Sequence, residues 1–268
     1  SNYAVLKAAP GWTNTEAMVR LGGIHPANNI RVVGSCYSFT GGVIDGSGVA
    51  KGISIDSGRE TKVHDVSMKF VSLGLHIKHG ANNNSSDCDI SDVNIVGNRA
   101  KGSIGVLIDA CDNTLTNMRI ADMQIGVKLT RPACGNLMRN LHPLYASPMD
   151  QYDGSAGFVD DAFDNSYDRC YSDHFSTGFL FGRTAGNTVM DAPSKGRRHT
   201  AVKCEGRLRA QIANMQIGFR GAEAVNTVLE VGEKGGGGYL RDPRINIGLV
   251  RKDDTVYKDY LQGVVHAP

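Results

Sequence analysis

The chain lacks several things that would have placed it quickly. No apolar run among its 268 residues approaches the roughly 18 that a membrane-spanning helix requires, so no span is expected. The N-terminus, SNYAVLKAAPGW, has no basic stretch leading into an apolar one, and no signal peptide is visible. Charge of one sign is missing too: 29 Lys and Arg stand against 27 Asp and Glu, a net of +2, with the cations scattered rather than striped. That leaves no electrostatic case for nucleic acid. Six cysteines without a CxxC pair are too few for a disulfide framework and lack zinc-ligand spacing, so buried thiols are expected rather than bridges. No segment carries a sustained 3.6-residue hydrophobic period, which argues against helix.

What is present is an internal repeat. Glycine, apolar, any residue, apolar recurs as GISI from Gly52, GLHI from Gly74, GVLI from Gly105, GVKL from Gly126, GFVD from Gly157 and GFLF from Gly178. AVKC from Ala201 is a seventh copy, and the gaps run from 21 to 31 residues. A second signature follows: apolar, any residue, Asn or Asp, apolar, any residue, apolar. It reads VHDVSM (63–68), ISDVNI (90–95), LTNMRI (115–120) and IANMQI (212–217), with weaker copies MRNLHP (138–143) and YDRCYS (167–172). Each signature is read as a strand of period two with one face buried. Coils this short cannot bury an apolar face alone, whereas stacking them about 4.8 Å apart builds one continuous core, a solenoid. Asn113, Asn136, Asn165 and Asn187 fall at matching turn positions, where an asparagine ladder would suit a corner.

On the repeated GVxI…NTLxNMxI pattern, over roughly residues 28–231, the chain resembles the right-handed parallel β-helix superfamily of pectate lyases, polygalacturonases and phage tailspike depolymerases. The resemblance implies an all-β fold: one right-handed parallel β-helix of about eight coils. Residues 1–27 are expected as an N-terminal cap, and residues 232–268 as an appendage that caps the other end or contacts a neighbouring subunit. It implies a polysaccharide as substrate, an extracellular or virion-associated setting, a homotrimer as the assembly, and no nucleic-acid or membrane partner. The polygalacturonase strings Asn-Thr-Asp, Gly-His-Gly and Arg-Ile-Lys are absent, so no particular reaction carries over. Lyase and glycoside hydrolase stand together, with a non-catalytic glycan-binding or tail component as the alternative.

Aligning the coils sorts the outward side chains. The first strand presents Ser54, His76, Leu107, Lys128, Val159, Leu180 and Lys203; the second presents Ser67, Asn94, Arg119, His142, Tyr171 and Gln216. Arg119, His142 and Tyr171 put a permanent cation, an imidazole and a phenol on successive coils, as elimination from a uronate requires. The insertion 142–157, HPLYASPMDQYDGSAG, lengthens one coil, and function on solenoids concentrates in such insertions. Tyr145, Asp150, Tyr152 and Asp153 on it, with His76 and Lys128, are expected to bind substrate. Seven aspartates lie between Asp150 and Asp173. Of these, Asp160, Asp161 and Asp164 are the candidates for a carboxylate pair of the kind glycoside hydrolysis uses. Asp160 stands out because its counterpart 52 residues earlier is Ile108. No cofactor is expected; the minor alternative is calcium on the clustered carboxylates, for which no EF-hand spacing exists.

Overall fold

The computed structural model describes residues 4–24, 31–32, 34–79, 85–145, 154–182, 189–191, 194–196, 200–213, 215–219, 227–233, 236–241 and 244–246. The chain folds as an all-β, right-handed parallel β-solenoid of about seven turns, with no helix among the described residues. The first sheet stacks the glycine signature in parallel register, from Ala17–Ile24 through Lys51–Asp56, Leu73–Lys78, Ile104–Ile108, Ile125–Leu129, Ala156–Asp160, Thr177–Phe181 and Thr200–Arg207 to Thr227–Glu233. The signature glycine is there because the coil is narrow. A Cβ at Gly105 would overlap the Ile120 side chain, and one at Gly157 would overlap Ser172, both across the core from the first sheet.

The second signature bends at its centre: Lys62–His64 and Ser67–Val71 are separate strands, as are Asp89–Ser91 and Asn94–Gly97, whereas Thr114–Ala121 and Leu137–Leu144 run on through the bend. Its Asn or Asp takes the left-handed conformation, with φ of +57° at Asp65, +54° at Asp92, +53° at Asn117 and +53° at Asn140. These short polar residues tolerate that region best, and the bend there folds one continuous sheet into two faces, the second and third sheets of the coil. The apolar positions betray the break: Leu115, Met118 and Ile120 are all buried, with a spacing of three and then two. The bend breaks the strict period two expected from sequence, and in several copies the strand itself, while Thr114–Ala121 and Leu137–Leu144 each remain one strand as expected.

Strand pairing extends into both terminal segments. Val5–Lys7 pairs in parallel with Val43–Asp45, and Ala17–Ile24 with Lys51–Asp56. Tyr239–Arg241 and Arg244–Asn246 likewise continue the second and third sheets past the glycine-rich stretch.

The asparagine ladder is formed. The Asn113 side-chain oxygen accepts from the Cys88 amide at 3.0 Å, and Asn136 accepts from the Asn113 amide at 3.0 Å. Asn165 accepts from the Asn136 amide at 3.0 Å, so each asparagine satisfies the coil before it. Asn187 lies outside the described residues. Beside this ladder Cys111 and Cys134 form an isolated in-register bridge with their Cα atoms 4.5 Å apart, within disulfide reach, and they are bonded. That corrects the expectation of thiols at this corner. Cys88, Cys170 and Cys204 are buried thiols as expected, and Cys36 is an exposed one.

Candidate functional site

The third sheet carries the outward row that the alignment singled out. Ser67 pairs with Asn94, Asn94 with Arg119, and Arg119 with His142, each one strand spacing apart. On the next coil the Tyr171 ring stacks on His142, centroids 4.4 Å apart at 23°. Arg119 is exposed and the two rings are half-buried.

Two residues beyond Tyr171 the same face presents Asp173, in register with Leu144. Its Oδ1 lies 2.8 Å from His174 Nδ1, an ion-pair approach without hydrogen-bond alignment, and its Oδ2 accepts from the Tyr171 hydroxyl at 3.4 Å. His142 Nε2 stands 3.9 Å from Oδ2, too far for a hydrogen bond, and that buried nitrogen has no hydrogen-bond partner among the described residues. Two imidazoles and a phenol thus surround one carboxylate that is 9% exposed. His174 is held at φ +66°, a conformation uncommon for a non-glycine residue. Chemically, the group can take a proton at an imidazole, hold charge at the carboxylate and return a proton from the phenol or the second imidazole.

Sequence reasoning points to Arg119, His142 and Tyr171 and misses Asp173 and His174. The column gives little signal: before Asp173 it runs Asp45, Lys69, Val96, Ala121 and Leu144, so a charged side chain is no novelty in it, although the three coils just before carry hydrocarbon there.

The other nominated residues are dispersed. Asp160 is in the core, 1% exposed, where Oδ2 accepts from the Tyr167 hydroxyl at 2.9 Å and Oδ1 from the Ala162 amide at 2.9 Å. The Asn165 side chain adds a longer bond to Oδ1 at 3.4 Å, so Asp160 terminates the asparagine ladder. Burial, and then the Asp160 charge, push the Tyr167 hydroxyl well above its ordinary value, which keeps it a donor. Asp161 follows the first-sheet strand and Asp164 is exposed at the next corner at φ +60°, so both sit on a different edge of the coil from His142. Tyr145 is fully buried, its ring edge-on to Phe175 at 6.3 Å, and it is a packing residue rather than a surface contact for substrate. Asp150, Tyr152 and Asp153 lie outside the described residues.

His76 and Lys128 are on the first sheet, on either side of Leu107. They converge on Asp109, whose Oδ2 is 2.5 Å from His76 Nε2 and whose Oδ1 accepts from Thr130 at 2.6 Å. Burial raises the Asp109 carboxyl, but the His76 and Thr130 hydrogen bonds, with the charges of His76 and Lys128, outweigh it and hold Asp109 below the ordinary carboxylate value. Among the described residues no group of three His, Cys, Asp or Glu side chains is arranged to hold a metal ion. No family model and no curated protein matches the chain, so the likeness to the pectate lyase superfamily rests on the repeat and the parallel solenoid alone.

Proposed function

We propose that this β-solenoid acts on an extended, acidic polysaccharide lying along the third sheet, and that it does so as a lyase. One observation carries the reading: His142, Tyr171, Asp173 and His174 converge on one solvent-facing row, one strand spacing from the Arg119 guanidinium. Arg119 pairs with a uronate carboxylate and so acidifies the proton on the adjacent ring carbon. The His142 imidazole removes that proton, the glycosidic carbon–oxygen bond breaks, and a carbon–carbon double bond forms in the ring. Tyr171 or His174 gives a proton to the departing oxygen. Asp173 holds the phenol in place and, 3.9 Å from His142 Nε2, balances the charge of the protonated ring. A hydrolase is less well supported because Asp160, the anomalous carboxylate of the nominated pair, is sealed in the core.

The second reading is a non-catalytic glycan-binding or structural module such as a tail component. It is favoured by the packing roles of Asp160 and Tyr145, two residues nominated for chemistry or contact. Both readings place the protein outside a cell or on a virion, and a homotrimer suits either. Incubation with a panel of acidic polysaccharides separates them. Unsaturated uronate ends, seen by ultraviolet absorbance and lost in His142→Ala and Tyr171→Phe, are the expected result. Reducing ends without unsaturation mean a hydrolase, retention without product means a binding module, and no retention on any glycan sinks both readings.

A further inference from the structure

A second constellation lies on the first sheet, away from the row read as the polysaccharide site, and it does not depend on that reading. Residues 15–17, where the first rung of this sheet begins, border a cleft of about 130 Å³, lined by Glu16, Lys51, Ser54, His76 and Lys78 among others. The Lys78 ammonium and the Glu16 carboxylate stand 3.6 Å apart at this cleft. Ser54, 3% exposed, is the in-register neighbour of His76 on the adjacent coil, about one strand spacing of 4.8 Å away. His76 in turn bonds Asp109 through Nε2 at 2.5 Å.

A carboxylate that stays ionised accepts hydrogen bonds only, so the neutral His76 ring keeps its proton on Nε2. The lone pair then lies on Nδ1. A hydroxyl, an imidazole with a fixed tautomer and a carboxylate that fixes it make up the activated-nucleophile pattern, spread here over three successive coils. Two ammonium groups line the same cleft and can stabilise a developing oxyanion.

We propose that this cleft is an acyl-transfer site for small carboxylic esters of acetyl size, with Ser54 as nucleophile, His76 as its base and Asp109 as the positioning residue. Ser54 Oγ bonds to the ester carbonyl carbon while its proton passes to His76 Nδ1. The carbonyl–alkoxy bond then breaks and the alcohol leaves with that proton. Water, deprotonated by the same imidazole, splits the acyl-serine and releases the carboxylic acid. The volume admits a short acyl group, and the alcohol portion remains outside.

The test uses the whole chain with p-nitrophenyl acetate and, separately, a fluorophosphonate probe located by peptide mass spectrometry. Expected are nitrophenolate release, one probe per chain on Ser54, and a loss of about 100-fold in hydrolysis with Ser54→Ala or His76→Gln. Asp109→Asn should lose activity, and Asp109→Glu should regain part of it at an unchanged melting temperature, a split that a merely structural role would not produce. Labelling of the unmodified protein needs no variant to fold. If the probe leaves Ser54 untouched, or Ser54→Ala hydrolyses at the original rate, the proposal is overturned.

Discussion

Two aspartates of neighbouring coil segments, Asp160 and Asp173, are both nearly buried, at 1% and 9% exposed. Their surroundings differ in kind. Asp160 receives a phenol, an amide side chain and a main-chain amide, all donors that do not titrate near neutrality. Asp173 faces two imidazoles and a half-buried phenol on a solvent-facing row, and one imidazole nitrogen there has no hydrogen-bond partner among the described residues. A carboxylate saturated by neutral donors is fixed in one charge state and serves the fold. A carboxylate among groups that exchange protons is poised for chemistry. Burial therefore does not distinguish the two roles; the titration behaviour of the partners does.

The largest expected effect tests the structural half of that contrast. Asp160→Leu restores hydrocarbon at the position where the preceding coil has Leu129. It also strips the acceptor from Tyr167, Asn165 and Ala162 at the end of the ladder, and each orphaned buried donor costs about 1 to 3 kcal/mol. A loss of about 5 kcal/mol in chemical denaturation is expected on that basis. Adding Tyr167→Phe removes one orphan and should recover about 2 kcal/mol. If Asp160→Leu were neutral, the carboxylate would not be held for the fold, and the contrast with Asp173 would collapse.

The second effect comes from the same core. Burial pushes the Cys88 thiol up to about 11, and Cys170 and Cys204 up to about 12, from an ordinary 9.0. A folded-state pKa above the unfolded value means the folded chain holds its proton more tightly. The associated stability is whole below pH 9.0 and falls as pH rises toward 11 and 12. Each thiol contributes about 1.4 kcal/mol per pH unit, so the three together give a slope of up to about 4 kcal/mol per unit. Denaturation midpoints followed through that interval should fall steeply, and Cys204→Ala should remove about a third of the slope. A flat alkaline profile would mean that these thiols are wetter than the fold makes them.

The architecture is legible in the sequence because period-two alternation with a glycine recurring every coil has few physical causes besides stacked short strands. The outward columns of both signatures come out of the alignment in the register the sheets adopt, from Ser54 to Lys203 and from Ser67 to Tyr171. The corner inside the second signature is hidden, because a left-handed Asn costs one residue and leaves the apolar letters nearly in phase. Asp160 reads as an anomaly, but its partners Asn165 and Tyr167 are five and seven residues on, across a corner, and no spacing rule anticipates that a phenol will turn inward to meet it. Asp173 and His174 escape for the opposite reason: they follow the insertion, where coil alignment is weakest. The Cys111–Cys134 bond depends on a corner register that composition does not contain.

Asp173→Asn probes the other half of the contrast. The amide keeps the shape but loses the charge that holds His174 and Tyr171, so turnover of the polysaccharide identified by the panel should fall about 100-fold. Stability should fall by no more than about 2 kcal/mol, since the site is partly solvated and the long hydrogen bond from Tyr171 is weakened rather than removed. The reverse outcome, unchanged turnover with a loss as large as that of Asp160→Leu, would make Asp173 a second structural anchor.

The smallest effect uses asparagine to sharpen the comparison. Asn113, Asn136 and Asn165 form a buried ladder, while Asn140 and Asn117 make the same kind of side-chain contact, Nδ2 to Oδ1 at 2.9 Å, on the exposed corner one edge away. Water replaces an exposed bond at almost no cost, whereas any cut in the buried ladder leaves donors dry. Asn140 also sits at φ +53°, which glycine adopts freely. Asn140→Gly should therefore shift stability by no more than about 0.5 kcal/mol in either direction, the lost bond offset by relief of the left-handed backbone. A loss of several kcal/mol from this exposed position would show that stacking between coils, rather than burial of the stacked group, sets the strength of these ladders. The distinction between the sealed Asp160 and the open Asp173 would then need a different physical basis.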